Sequence, residues 1–114
     1  MVKTALLFAG QGAQFVGMGE DLANTYSTAR TLFTQADKVL GYNLSDICFS
    51  GPEEELVRTE HAQPAIYLNG WIAFQLLCEQ VPSFTFDATA GLSLGEFTAL
   101  AAADSIKFED GLLV

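Results

Sequence analysis

The sequence predicts an α/β fold in which a parallel sheet is covered by helices on both faces. The apolar run at residues 4–9, TALLFA, ends at a glycine and is typical of a strand buried between two layers of helices. A second short strand is predicted at residues 84–91, FTFDATAG. Helical patterns lie between these stretches and after the second one, which gives the element order of an α/β domain.

Several segments carry helical signals. Residues 27–40 repeat apolar side chains at helical spacing, and Pro52 with glutamates directly behind it favours the start of another helix. The stretch 63–81 is apolar on nearly every side, which predicts a buried helix. Residues 93–103, rich in small side chains, predict a further helix, and residues 108–114 predict the beginning of one more.

Composition and charge exclude several classes of function. The chain has 114 residues, enough for one modest domain, and 50% of them are hydrophobic, which argues against disorder. Its formal charge is −9 and its basic residues form no cluster, so nucleic-acid binding has no electrostatic support. The first apolar run is shorter than a secretory signal requires, and no run reaches the roughly 18–20 residues of a membrane span. We therefore expect neither a nucleic-acid partner nor a membrane association.

The two cysteines, Cys48 and Cys78, are isolated in apolar surroundings. Their spacing is neither that of a CxxC metal site nor that of a small disulfide framework. They are interpreted as inert core thiols, and a reducing, cytoplasmic location is expected.

A serine lies between two glycines in Gly91-Leu92-Ser93-Leu94-Gly95, after the second predicted strand and directly before a helix. This is the nucleophile-elbow pattern, in which a strained turn lifts the serine oxygen above the sheet edge and the flanking residues must be small. The N–H group of Leu94 would then be the first oxyanion donor. In the alternative interpretation Ser93 only caps the helix and the glycines are turn residues.

The loop after the first strand begins with GQGAQ at residues 10–14. It is not a dinucleotide fingerprint, because Phe15 occupies the position of the last glycine, and it lacks the GK[ST] of a P-loop. Such a loop can still offer a bare backbone amide at the carboxyl edge of the sheet, where ligands of α/β proteins bind. The N–H group of Gln11 is the candidate for a second oxyanion donor. Glu96 is interpreted as structural, because its side chain is not expected to reach the Ser93 oxygen.

Three stretches in this order carry a family resemblance: LLFAGQGAQFVGMG, EHAQPAIY and GLSLGEFTAL. Together they resemble the malonyl-CoA:acyl-carrier-protein transacylases of bacterial fatty-acid synthesis, which are related to the acyltransferase domains of polyketide synthases. The resemblance covers essentially the whole chain. It implies a hydrolase-like acyltransferase core of the α/β class.

By position, the resemblance implies that Ser93 takes a malonyl group from coenzyme A as an ester and passes it to the phosphopantetheine thiol of acyl carrier protein. Backbone amides of Gln11 and Leu94 would hold the oxyanion, and Gln63 of the QPA motif would lie beside the serine. Alternatively, Gln63 bonds local backbone at a helix start. Malonyl-CoA and acyl carrier protein are the implied partners; no metal or cofactor of its own is implied, because the partner carries the phosphopantetheine. His61, the one histidine, is interpreted as structural, because the family's catalytic histidine follows the serine.

The chain departs from the family in two ways. The family commonly has histidine directly before the nucleophile, where this chain has Leu92. The family's carboxylate-binding arginine, its catalytic histidine and its small inserted subdomain have no counterpart in residues 1–114, and Arg30 and Arg58 come too early to match that arginine. Residues 1–114 are therefore interpreted as the N-terminal part of the large acyltransferase domain, with an incomplete sheet, and as inactive alone.

Three other interpretations stay open. The chain could belong to an acyltransferase domain of a polyketide synthase, or to a patatin-like or esterase-like serine hydrolase, which would share GxSxG but require a different glycine-rich loop. It could also be a non-catalytic remnant that acts as an interaction module. Retention of Ser93, Gln11 and Gln63 favours the enzyme.

Overall fold

The computed structural model, which describes residues 3–113, contains a parallel pair of strands. The first strand pairs with the second in a register that sets Ala5 opposite Ala88 and Phe8 opposite Gly91. The α/β class and the parallel pairing predicted from the sequence are thereby confirmed. The elements are β1 (Ala5–Phe8), α1 (Glu20–Thr25), α2 (Ser27–Leu40), α3 (Leu44–Ser50), α4 (Glu53–Leu56), α5 (Thr59–Gln80), β2 (Ala88–Gly91), α6 (Gly95–Ala102) and α7 (Phe108–Leu112).

The two-stranded sheet is covered by helices on one face only in the described residues. Alternate residues of β1 and β2 are half-buried on the face that contacts α6, including Leu6 and Phe8. The opposite face is exposed, and Leu7 on it is 79% exposed. Helices were expected on both faces; in residues 3–113 they cover one of them. The apolar run of β1 therefore has the composition of a strand buried on both sides, but it is buried on one.

Helix α5 is the core of the described chain. It contacts α2, α3, α4, α6 and α7, and its fully buried side chains include Tyr67, Leu68 and Ile72. The predicted buried helix is confirmed, but it begins at Thr59, four positions before the expected start, and Pro64 lies inside it.

Pro64 removes one hydrogen bond from the first turns of α5. A proline has no N–H group, so the carbonyl oxygen of Glu60, four residues earlier, lacks its helical donor. The Tyr42 hydroxyl donates a hydrogen bond to that oxygen at 3.3 Å. A side chain from the α2–α3 connection thus replaces the missing backbone donor, which lets the helix extend through the proline.

The second strand is shorter than predicted, and the aromatic residues that precede it pack against α5. The ring of Phe74 on α5 lies 5.7 Å from that of Phe86 in an edge-to-face arrangement and 6.4 Å from that of Phe8. Phe84 in turn lies 6.2 Å from Phe86. Residues 84–87 therefore form an aromatic link between α5 and β1, and the ladder begins only at Ala88.

The helix predictions are confirmed at 27–40, and the Pro52 signal marks a short helix, α4. Helices α1 and α3 were not predicted. Within residues 3–113, none of the helices combines the length and the apolar character needed to cross a bilayer.

Candidate active site

The turn between β2 and α6, residues 91–95, has the backbone of a strained elbow. Ser93 has φ 55°, in the left-handed region that side chains other than glycine rarely adopt, whereas Leu94 already has helical dihedral angles. The chain therefore reverses direction at one residue, and that residue is the serine. Such a conformation costs about 1–3 kcal/mol and persists only where the surroundings impose it.

The two glycines of the elbow allow backbone to lie directly on backbone. A Cβ atom on Gly91 would be 1.9 Å from the carbonyl carbon of Gly95, and one on Gly95 would be 2.2 Å from the carbonyl oxygen of Phe8. Both distances are shorter than any real carbon contact. The beginning of α6 therefore packs against the ends of both strands only because positions 91 and 95 carry no side chain.

The GQGAQ loop lies against the same turn. A Cβ atom on Gly10 would be 2.3 Å from the carbonyl oxygen of Leu92, so the loop after β1 touches the residue that precedes Ser93. The N–H group of Ala13 bonds the Gly10 carbonyl at 3.3 Å, which closes a turn that holds Gln11 at its exposed side. The structure thus brings the predicted loop and the predicted elbow to one edge of the sheet.

Two backbone donors are available at this edge. Among residues 3–113, neither the N–H group of Gln11 nor that of Leu94 donates to a protein acceptor, although the N–H groups of Gly95 and Glu96 do. Ser93 itself is exposed. N–H groups without a protein acceptor, at a helix start or in a glycine-rich loop, can stabilise negative charge that develops on a substrate oxygen.

The Gln11 side chain faces the start of α5, where its amide nitrogen lies 3.5 Å from the Thr59 hydroxyl oxygen. Gln63 follows Thr59 by one helical turn, on the same face of α5, and is half-buried. No hydrogen bond in the described part of the chain joins Gln63 to Ser93. Thr59 was not singled out from the sequence, although its i, i+4 spacing from Gln63 is a signal that would have identified it.

His61 and the arginines are occupied elsewhere. The Nδ1 atom of His61 lies 2.8 Å from the Glu55 carbonyl oxygen, and the imidazole ring contacts that of Tyr42 at 5.4 Å. Arg58 forms an ion pair with Glu60, and the Arg30 guanidinium donates to the Ala23 carbonyl at 2.7 Å. None of these contacts involves Ser93 or the GQGAQ loop, and the roles of His61 and the arginines stay predictions.

Neither the cysteines nor a cluster of metal-ligating side chains adds a reactive group to the described residues. Burial raises the pKa of the Cys48 thiol to about 12, so it remains protonated and unreactive at neutral pH. Cys78 is half-buried. Glu96 is exposed at the beginning of α6. No group of three metal-ligating side chains occurs within residues 3–113.

The chain matches a known family along nearly its whole length. The profile of the acyl transferase domain matches residues 5–114. A probable mitochondrial malonyl-CoA-acyl carrier protein transacylase from Drosophila melanogaster is 46% identical over 111 residues, which are 96% of this chain and 29% of that protein.

Solved structures agree with this assignment. A malonyl CoA-acyl carrier protein transacylase from Clostridium perfringens superimposes with a TM-score of 0.91 at 37% identity, covering 98% of this chain and 35% of that one. A malonyl-transacylase solved in complex with its type II polyketide acyl carrier protein gives 0.92 at 36% identity, covering 98% and 36%. This chain spans about a third of the length of these relatives. The chain therefore belongs to the acyl transferase domain family.

Proposed function

We propose that the protein containing this chain transfers a malonyl group from coenzyme A to the phosphopantetheine thiol of acyl carrier protein, in fatty-acid biosynthesis, through an ester on Ser93. Family membership supports acyl transfer. The names of the relatives support the malonyl donor and the carrier-protein acceptor.

The backbone of Ser93 is the observation that carries the proposal. Its φ of 55° is costly for a serine that only caps a helix, because a helix cap requires no left-handed residue. A left-handed conformation at Ser93 is instead expected where the hydroxyl has to project above the sheet edge, so that it can attack a substrate carbonyl. The contacts of Gly91 and Gly95 with neighbouring backbone hold the turn in this form.

The proposed chemistry proceeds in two similar steps. The Ser93 hydroxyl oxygen attacks the thioester carbonyl, its proton passes to a general base, and the carbon–sulfur bond breaks as coenzyme A leaves and takes the proton as a thiol. In the second step the carrier-protein thiol gives its proton to the base and attacks the serine ester, the acyl C–O bond to Ser93 breaks as the new thioester forms, and the proton returns to the Ser93 oxygen. The carbonyl oxygen becomes negative in both tetrahedral intermediates, and the N–H groups of Gln11 and Leu94 are the proposed donors to it. Each such donor contributes about 2.7–4 kcal/mol.

Other groups of the site complete the proposal. Gln63, on the face of α5 that Thr59 turns toward the GQGAQ loop, is proposed as a polar residue at the substrate. The general base and a cation for the malonyl carboxylate are proposed to come from other parts of the protein, with residues 1–114 as the N-terminal part of its large domain. His61, Arg30 and Arg58 are already bound elsewhere.

We also propose that the reaction needs no metal or cofactor of its own, because backbone amides stabilise the oxyanion and the partner carries the phosphopantetheine. A cytoplasmic location is proposed; two cysteines without a disulfide suit a reducing compartment.

A transfer assay on the complete gene product tests the proposal and separates it from hydrolysis. Radiolabelled malonyl-CoA is supplied with holo acyl carrier protein, with apo carrier protein, or with neither. The proposal predicts label on the holo carrier protein and not on the apo carrier protein, and no labelled carrier protein with Ser93→Ala. Release of free malonate at the same rate with or without carrier protein would instead indicate a serine hydrolase.

A further inference from the structure

A threonine in β2 is bonded to α6 across the elbow. The Thr89 hydroxyl donates a hydrogen bond to the carbonyl oxygen of Ala99 at 2.9 Å, and the pair is partly buried. Thr89 precedes Ser93 by four residues and Ala99 follows it by six. The bond therefore joins the strand that enters the elbow to the helix that leaves it.

The Thr89–Ala99 hydrogen bond and the Gly91–Gly95 contact lie at matching positions along β2 and α6. Thr89 and Gly91 are two strand positions apart, on the same face and about 6.6 Å from each other. Gly95 and Ala99 are four helix positions apart, a rise of about 6 Å. The close contact of Gly91 with Gly95 and the bond of Thr89 to Ala99 are thus two points on one seam, and two points fix the angle between strand and helix.

The turn itself is closed by backbone hydrogen bonds from the N–H groups of Gly95 to Leu92 and of Glu96 to Ser93, both at 3.0 Å. Within residues 3–113, the Thr89 bond is the side-chain hydrogen bond that joins β2 to α6. The Ala99 carbonyl oxygen also accepts the N–H group of Ala103 at 3.0 Å. Because a carbonyl oxygen has two lone pairs, it can accept the Thr89 hydroxyl and keep its helical hydrogen bond. The glycine contact supplies close approach but no directional bond, and the bond from the Leu92 N–H group to the Phe8 oxygen, at 3.4 Å, ties the end of β2 to β1 and not to α6. Away from the turn, the Thr89 bond is therefore the directional restraint between β2 and α6 in the described residues.

We propose that Thr89 is a positioning residue for Ser93. Its hydrogen bond holds the angle between β2 and α6, and through that angle the left-handed backbone of Ser93 and the direction of the Leu94 N–H group. This inference rests on the proposed function for its catalytic consequence, but the structural part stands on the bond itself.

The test compares three variants of the complete gene product. Thr89→Val keeps the shape of the side chain and removes the hydroxyl, and Thr89→Ser keeps the hydroxyl. Thr28→Val is the matched control, because it removes the Thr28 hydrogen bond to Glu79 between α2 and α5, at 2.7 Å. The first readout is the single-turnover rate of Ser93 acylation at saturating malonyl-CoA, together with KM. The second is hydrogen–deuterium exchange of the amides at 92–95.

The proposal predicts an acylation rate about tenfold lower for Thr89→Val, because small misplacements of a reacting group are costly. KM should remain unchanged, Thr89→Ser should restore the rate, and Thr28→Val should match the parent. Exchange at 92–95 should become faster in Thr89→Val only. Equal rates and equal exchange in Thr89→Val and the parent would overturn the proposal, as would a loss that Thr89→Ser does not restore.

These measurements distinguish a failure of the proposed function from a failure of the proposed role of Thr89. If the parent protein is never acylated on Ser93, the proposed function is wrong, and exchange at 92–95 still decides whether Thr89 holds the elbow. If the parent is acylated and Thr89→Val acylates equally fast, only the role of Thr89 is wrong.

Discussion

The first residue of α6, Gly95, lies directly on the end of β1, where a Cβ atom would be 2.2 Å from the carbonyl oxygen of Phe8. The elbow formed by β2 and α6 is therefore held by the neighbouring strand as well as by its own residues. This contact connects the N-terminal strand to the geometry of Ser93, although the two are far apart in sequence.

Substituting Gly95→Ala should disrupt this contact. The added methyl group would meet backbone on both the Phe8 and Ala9 sides, which cannot give way as a flexible side chain would. We expect a loss of unfolding free energy of about 3 kcal/mol, measured by urea denaturation. Gly70→Ala on α5 is the control, because its methyl group would meet side chains and no backbone, with the Thr98 methyl at 3.2 Å and the Phe8 ring at 3.6 Å. Similar losses in both variants would contradict the account.

The strain at Ser93 predicts a reversal of the usual order of alanine and glycine. With φ at 55°, Ser93→Gly should be more stable than Ser93→Ala by about 1 kcal/mol, because glycine tolerates the left-handed region. At a helical position such as Ala101, replacement by glycine should instead cost about 1 kcal/mol. Thermal unfolding of the three variants measures both differences. If alanine is the more stable residue at position 93, the backbone there is not left-handed.

The elbow and its loop could be predicted because their signals are local. The order strand, Gly-x-Ser-x-Gly, helix requires small residues where backbones meet, and Gly91 and Gly95 meet that requirement. The helix at 27–40 could also be predicted, because the spacing of its apolar residues indicates a helix and Gly41 marks its end. By contrast, α1 and α3 have six and seven residues, too few to show a clear helical repeat, and α1 directly follows a glycine-rich loop.

Long-range contacts set the features that were predicted wrongly or missed. At the early start of α5 the Glu60 carbonyl bonds the Tyr42 hydroxyl, a partner that no local pattern reveals. Before the late start of β2, Phe86 contacts Phe74 of α5, which is likewise distant in sequence. Thr89 was missed because its partner, Ala99, is specified only once the strand and helix pack together.

The bond from Tyr42 to Glu60 should be coupled to Pro64. We expect Tyr42→Phe to cost about 0.5–1 kcal/mol in the parent, because it leaves the Glu60 carbonyl without a protein donor. In a Pro64→Ala background residue 64 regains its N–H group, so the same substitution should cost less. A double-mutant cycle by urea denaturation measures the coupling. An identical cost of Tyr42→Phe in both backgrounds would show that the hydroxyl does not replace the helical donor.

Burial of Cys48 predicts a loss of stability at alkaline pH. Burial raises the pKa of its thiol from 9.0 to about 12, so the folded protein keeps a proton that the unfolded chain releases. The free energy of unfolding should therefore be unaffected by this group below pH 9 and should decrease between pH 9 and 12. Cys48→Ala should show a smaller decrease, with a remainder from Tyr67, whose pKa burial also raises. The prediction is wrong if the two pH profiles are parallel.

The most direct test of the account is to locate the acyl group. The complete gene product is incubated briefly with malonyl-CoA, quenched in acid, digested and mapped by mass spectrometry. The account predicts a malonyl ester on Ser93, absent from Ser93→Ala and lost when holo acyl carrier protein is added before the quench. Transfer of malonyl to the carrier protein by the Ser93→Ala variant, or a malonyl ester on any other residue that turns over at the same rate, would contradict it.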